Sequence, residues 1–249
     1  MSKVISLVSR NNSGKTFVST CLGIELAKLG KKVILVDLDP QANLTSNFSI
    51  AESRYTSYHA MVEGGYFETT NLGENLSMIP SVPDLIGCEL ELVAFKDREY
   101  VFRKFLEQFA SVYDYIIIDT SPSVGLLTAN ALFASDLAII PIRPEEKMYA
   151  RDKRLMETIE KVKALTSLKP LVAYFLLNNS GSFIPIEKLK ASLKGIYDMD
   201  FLKSSIYANY NLKETLNEVS NAKLNPYTHF KPSLDFKKLA LEIINLKNQ

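Results

Sequence analysis

An apolar run, Val4-Ile5-Ser6-Leu7-Val8, passes without a spacer into the polar stretch Ser9-Arg10-Asn11-Asn12-Ser13-Gly14-Lys15-Thr16, behind which a helical pattern begins at once. That order, a buried strand turning through a short polar loop into a helix, is the repeating step of an α/β sheet. The end of the loop, Gly14-Lys15-Thr16, keeps the last three positions of the phosphate-loop pattern G-x-x-x-x-G-K-S/T. In such a loop, backbone N–H groups at a helix N-terminus surround phosphate oxygens. The lysine reaches the β- and γ-phosphates, and the hydroxyl binds Mg²⁺. Ser9 stands where the pattern opens with glycine, and Asn11 and Asn12 fill the middle. Asparagine enters left-handed backbone conformations more readily than most residues, so the loop can still close. Taken alone, Gly-Lys-Thr also fits an ordinary surface loop.

Two further apolar runs bear on that choice. Val33-Ile34-Leu35-Val36 ends in Asp37-Leu38-Asp39-Pro40-Gln41, and Tyr115-Ile116-Ile117-Ile118 ends in Asp119-Thr120-Ser121-Pro122-Ser123. Continuous apolar strands of this kind belong to a parallel sheet covered on both faces. Their C-terminal ends, with the carboxylates, then gather on the edge where open α/β sheets bind ligands. One aspartate after a strand is as readily a helix cap. Asp37, Asp39 and Asp119 converging on the edge that carries Gly14-Lys15-Thr16 favour a role in metal or phosphate chemistry.

On Gly14-Lys15-Thr16, the segment Val36-Asp37-Leu38-Asp39-Pro40-Gln41-Ala42-Asn43 and the stretch from Tyr113-Asp114-Tyr115 to Ser123, the chain resembles the ParA/Soj/MinD family of deviant Walker A ATPases. Weaker echoes run through Pro80-Ser81 to Glu91, Pro141-Ile142-Arg143 and Leu212-Lys213-Glu214, and they point to the ParA branch. The resemblance implies a three-layer P-loop fold, a mostly parallel sheet flanked by helices, formed as a single domain over residues 1–249. It implies ATP and Mg²⁺ as ligands, slow ATP hydrolysis, and a homodimer that forms with ATP in chromosome or plasmid segregation. A ParB-like activating partner and a cytoplasmic, nucleoid-associated location follow from the same likeness.

The family motif assigns residues one by one. The nucleotide-binding stretch is Arg10, Asn11, Asn12, Ser13, Gly14, Lys15, Thr16 and Phe17. Lys15 stabilises charge on the transferred phosphoryl group, while Thr16, Asp37 and Asp119 form the metal shell. Asp39 positions the attacking water, although an aspartate before Pro40 is also a common turn residue. Asn178, with Asn179 behind it, ends a strand where relatives contact adenine, and asparagine is equally a turn former. One departure concerns catalysis. Arg10-Asn11-Asn12 replaces the family's lysine-glycine-glycine, whose lysine reaches the partner subunit's phosphates. Arg10 keeps the charge and can fork two phosphate oxygens, with a planar head unlike an ammonium; its plainer alternative is a solvated loop arginine.

Composition narrows the classes. A chain of 249 residues, 47% hydrophobic and 23% charged, is that of an ordinary globular protein with a large core. Its net charge of +1 supplies no overall field for nucleic acid, so DNA contact would need a local patch. The family's DNA-binding arginines have no counterpart in Tyr207-Ala208-Asn209-Tyr210-Asn211-Leu212, while Lys188, Lys190, Lys194, Lys203 and Lys213 flank that stretch. Non-specific DNA binding is left open. Cys21 and Cys88 lie outside any metal-ligand spacing and fit a reducing compartment. No cysteine follows Asp119 as an iron–sulfur relative would need.

Along the chain, Thr16 to Lys28 reads as a helix closed at Leu29-Gly30, and Ala42 to Gly73, with Tyr55, Tyr58 and Tyr66, as an irregular region suited to nucleotide-sensitive loops. Strands are expected at Leu76–Pro80, Leu137–Pro141 and Val172–Leu177, and helices at Tyr100–Phe109, Arg151–Leu165 and Phe236–Leu246. A strand so close to Met1 leaves no room for a secretory signal. No apolar run is long enough to span a bilayer. Two alternatives to the partition switch remain. A MinD-like membrane switch needs a free amphipathic C-terminal helix, whereas one ending by Gln249 is expected to dock on the core. A nucleotide-binding scaffold without hydrolysis would carry Arg10, Asn11 and Asn12 as marks of decay.

Overall fold

Along β2 (Val33–Leu38) every residue is buried, and alternate side chains leave on opposite sides. Val33 and Leu35 enter one apolar cluster, while Ile34, Val36 and Leu38 enter another across the sheet. The same parity holds in β5 (Tyr115–Thr120), where Tyr115 and Ile117 face the first cluster and Ile116 and Ile118 the second. Such strands require helices on both faces, and both faces have them.

The computed structural model describes residues 2–10, 13–50, 52–65, 67–143, 153–166, 171–178, 186–197, 199–207 and 234–246. The remaining strands are β1 (Lys3–Leu7), β3 (Thr70–Gly73), β4 (Leu76–Ile79), β6 (Leu137–Ile142), β7 (Val172–Asn178) and β8 (Asp200–Ile206). They form one sheet in the order β3-β4-β2-β5-β1-β6-β7-β8, parallel throughout except for the β3–β4 pair. Helix α1 (Lys15–Lys28) and a final helix, Leu234–Asn245, cover one face, with α2 (Asn43–Asn47) beside them. On the other face lie α3 (Ser57–Val62), α4 (Leu85–Leu92), α5 (Val101–Leu106), α6 (Leu126–Ala134), α7 (Lys153–Leu165) and α8 (Ile186–Tyr197). The Leu234–Asn245 helix is α9 here. This is the three-layer, mostly parallel architecture the sequence implied.

Gly30, at φ 78°, closes α1 by donating to Ala27 O at 2.9 Å, the glycine stop read from the sequence. The expected helix at Tyr100–Phe109 is α5 flanked by 3₁₀ turns at Arg98–Tyr100 and Glu107–Phe109. The region expected to be irregular holds α2, α3 and the antiparallel edge strand β3, with Tyr55 and Tyr58 packed on the core and Tyr66 outside the described residues. Helix α9 buries Phe236, Leu239, Ala240 and Ile243, and Phe236 meets Phe17 edge-to-face at 5.0 Å. Its apolar face is thus committed to the core. Its polar side grips the outer strand: Glu242 accepts the Lys203 and Ser204 N–H groups at 2.7 and 2.8 Å, and Asp235 accepts that of Tyr207. Among the described residues no helix is long and apolar enough to cross a membrane.

Candidate functional site

Strand register brings the distant motifs together. β1 lies between β5 and β6, with Leu7 level with Asp119, while β2 pairs with β5 so that Asp37 is also level with Asp119. The loop that leaves β1 therefore rises beside both carboxylates on the C-terminal edge of the sheet.

The loop is held by its own serines and by a distant strand. The Ser9 and Ser13 hydroxyls bond each other across it, so Ser9 closes a turn that glycine opens in the standard pattern. Gly14 sits at φ 85° and ψ 29° directly before α1. From β7, Asn178 donates its amide to Ser13 O at 2.6 Å and packs so closely on Gly14 that a Cβ there would run into it. Glycine is needed at this position twice over, for its backbone and for its lack of a side chain. α1 starts with no side-chain cap and no acidic residue in its first turn, so its N–H groups are open to an anion.

Lys15 is buried and donates to Ser9 O at 2.8 Å, with Arg10 O at 3.5 Å. Asp119 is fully buried, and its Oδ1 accepts the Ser19 hydroxyl at 3.1 Å. Its Oδ2 is buried with no hydrogen-bond partner among the described residues. Burial pushes the Asp119 carboxyl up to about 6, opposed by the Thr16 hydroxyl, the Lys15 charge and Ser19, and reinforced by Asp39. Asp37 is pushed up to about 7, first by burial and then by the charge of Asp119, against bonds from Thr45 and from the Asp39 N–H.

The donor set suits Mg²⁺ rather than a protein-only cage. Among the described residues no three His, Cys, Asp or Glu converge as a metal cluster. An orphaned carboxylate oxygen on Asp119 beside the Thr16 hydroxyl fits an ion whose other ligands are water and phosphate oxygens.

Three sequence assignments look different in place. Asp37 turns its Oδ2 to the Thr45 N–H and hydroxyl at 2.8 and 2.7 Å and its Oδ1 to the Asp39 N–H at 3.1 Å. Its oxygens are engaged in organising the chain rather than presented as ligands. Asn178 is 2% exposed with its amide nitrogen committed to the loop, so here it supports the phosphate loop instead of facing a base. The Phe17 ring is committed to α9, which leaves its backbone N–H as its contribution to the loop. Asn11, Asn12, Asn179 and Lys213 lie outside the described residues. Arg10 is exposed at the loop shoulder, and Arg143, one residue past β6, buries its Nε without a hydrogen-bond partner among the described residues.

Asp39 is 6% exposed and its Oδ1 accepts the Gln41 N–H at 3.0 Å, so it is a turn residue as well as a member of the site. It borders a cavity of about 320 Å³ lined also by Gln41, Ser121, Ser123, Thr128 and Glu89. Glu89 reaches from α4 to accept the Leu127 N–H at 3.0 Å at the start of α6. Sequence reasoning missed Thr45, Ser81 and Glu89; Pro80-Ser81 carried a faint family likeness and nothing that assigned a role. The lysine scatter is partly neutralised. Lys194 pairs with Asp200 at 2.6 Å and Lys190 with Glu187 at 3.8 Å, while Lys188 and Lys203 are exposed.

Comparison with known proteins gives three concordant results. Residues 2–172 match the family described as an AAA domain. Soj of Bacillus subtilis, described as a sporulation initiation inhibitor, is 40% identical over 169 residues, 65% of this chain and 66% of that protein. The chromosome partitioning protein ParA of Myxococcus xanthus is 39% identical over 156 residues, 60% of this chain and 55% of that one. The matched region thus spans somewhat less than two thirds of these relatives. Among solved structures, a Borrelia burgdorferi B31 protein assigned to plasmid partition, with AMPPNP bound, superposes with a TM-score of 0.75 at 23% identity, covering 98% of this chain and 97% of that one.

Proposed function

The chain belongs to the ParA/Soj/MinD family of P-loop ATPases, on its ParA side, and from that premise we propose that it is an ATP-hydrolysing partition ATPase. In this reading residues 1–249 act as one domain that dimerises with ATP in chromosome or plasmid segregation. The observation that carries the reading is the group at the uncapped start of α1: the buried Lys15, the half-buried Thr16 and a buried Asp119 oxygen without a partner among the described residues.

Each residue has a physical task. Lys15 exchanges its bonds to the loop carbonyls for phosphate oxygens, a stronger charge-assisted interaction. The N–H groups from Ser13 to Phe17 surround the β-phosphate as the helix dipole favours. Thr16 and Asp119 would hold Mg²⁺, which would supply positive charge against the phosphates. Asp39 orients the attacking water in its cavity, and Arg10 reaches the partner subunit's phosphates. Asp37 fixes the segment that carries Asp39. We assign the protein to the cytoplasm and nucleoid, with a ParB-like activator and non-specific DNA as partners.

The test is ATP turnover with and without duplex DNA at stated salt, since such binding falls steeply with salt. Stimulation by DNA supports the partition reading. Absence of turnover under every condition overturns it in favour of a nucleotide-binding scaffold.

A further inference from the structure

Resting on the reading that Asp39 orients the attacking water, we infer that Ser81 is a positioning residue for hydrolysis, holding Asp39 through a closed ring of hydrogen bonds. The ring can be followed atom by atom. The Asp39 N–H donates to Asp37 Oδ1 at 3.1 Å, and Asp37 Oδ2 accepts the Thr45 hydroxyl at 2.7 Å. The Thr45 oxygen in turn accepts the Ser81 N–H at 2.9 Å, and the Ser81 hydroxyl donates back to Asp39 O at 2.8 Å. Both ends of the Asp39 peptide unit are therefore fixed by a ring whose members are all 6% exposed or less. Bonds between groups so little exposed are stronger than the same bonds made in water.

The elements involved give the ring its purpose. Asp37 is the penultimate residue of β2, Thr45 belongs to α2, and Ser81 lies between β4 and α4. Without the ring, the turn Asp39-Pro40-Gln41 is tied to its own strand mainly by local contacts. With it, the position of the Asp39 carboxylate depends on a segment 42 residues away. A water-orienting group must be held within a fraction of an ångström to be effective, and a misplacement of about 1 Å can cost about 100-fold in rate.

The geometry also says what removal of the hydroxyl leaves intact. Asp39 O accepts a second bond, from the Ala42 N–H at 2.9 Å, so Ser81→Ala does not orphan a buried carbonyl. The Lys15 bonds to the Ser9 and Arg10 carbonyls and the uncapped start of α1 lie outside the ring. Nucleotide binding is thus spared while the angle of the Asp39 turn is loosened. A cavity of about 310 Å³ borders Ser81, with Thr56 and Val82 among its lining, and gives room for an added methyl group.

The experiment compares wild type, S81A, S81T, S81C, D39A and the D39A/S81A double variant by single-turnover phosphate release and by equilibrium ATP titration. S81A should lose about 10-fold or more in the hydrolytic rate with ATP affinity within about 2-fold. S81T, which keeps the donor, should recover most of the rate, and S81C, a weaker donor, should fall between. In the D39A background S81A should have no further effect, because a residue acting only through Asp39 has nothing left to act on. Wild-type turnover in S81A, or an equal loss in both backgrounds, overturns the inference. If S81A fails to bind nucleotide or to fold, the S81T–S81C comparison decides, and equal rates for those two overturn it. D39A turning over like wild type overturns the reading of Asp39 itself, a failure that D39A alone identifies.

Discussion

Gly14→Ala exposes the mechanical basis of the loop. The glycine has φ 85°, a region where a Cβ costs about 1–2 kcal/mol against the carbonyl that follows. The same Cβ would collide with the amide of Asn178, which is 2% exposed and bonded to Ser13 O at 2.6 Å. Asn178 has no room to yield without breaking that bond, and a buried amide and carbonyl left unmatched cost about 1–3 kcal/mol. The two effects share one displacement, so the combined loss is about 2–4 kcal/mol. For a domain of this size that is a fall in melting temperature of roughly 4–16 °C. Unfolding by urea or heat without nucleotide measures it, and ATP titration should show weakened binding because Ser13 O moves with the loop. The decisive comparison is Gly14→Ala in an Asn178→Ala background. With the amide gone only the backbone strain remains, so the cost should drop to about 1–2 kcal/mol. A cost that is the same in both backgrounds would refute the steric account, and a neutral Gly14→Ala would refute the whole argument.

Lys15→Ala should abolish ATP binding or nearly so, since it removes the buried counter-charge to the phosphates; calorimetric titration matching wild type would overturn the site assignment. Asp119→Asn tests burial through pH. A carboxyl raised to about 6 contributes stability that is complete below about pH 4 and lost as pH rises through 6. The asparagine variant escapes that loss, so without nucleotide it should gain about 2–3 kcal/mol over wild type at pH 8 and less at pH 5; a gap independent of pH would contradict the burial argument. Arg10→Ala should weaken ATP-dependent dimerisation by about 2–5 kcal/mol while leaving ATP binding by one subunit largely intact, and Arg10→Lys should retain the dimer. Light scattering and titration together decide this, and unchanged dimerisation would return Arg10 to the solvated surface.

The sheet and the location of the site were legible because both are written in short runs. Val33–Val36 and Tyr115–Ile118 are apolar without interruption, which only a two-sided sheet accommodates, and each ends in the residues that reach the edge. Helix α6, apolar nearly all round, and β8, half-exposed with a lysine at its centre, carry neither period clearly and escaped notice. The support of the site was illegible for a different reason. Asn178 meets Ser13 across 165 residues, and Ser81 meets Asp39 across 42. No local pattern encodes such a pairing, because the asparagine and the serine each look like ordinary turn residues until the strands are laid side by side. The same holds for Asp37. Its spacing suits a metal ligand, and only the fold reveals that Thr45 and the Asp39 N–H already occupy its oxygens.

The electrostatics of the edge draw these observations into one argument. Two buried carboxylates, Asp37 and Asp119, stand level in adjacent strands, and burial makes both reluctant to carry charge. Lys15 lowers the burden on Asp119 and also bonds the Ser9 carbonyl of the loop at 2.8 Å. The first turn of α1 adds partial positive charge that no side chain of its own satisfies. A buried carboxylate with an oxygen that has no partner among the described residues and an uncapped helix start would be two separate costs in a chain selected for stability alone. A polyanion carrying a divalent cation would relieve both together, the phosphates taking the helix start and the cation the carboxylate. Their arrangement favours such a ligand independently of the imperfect loop motif.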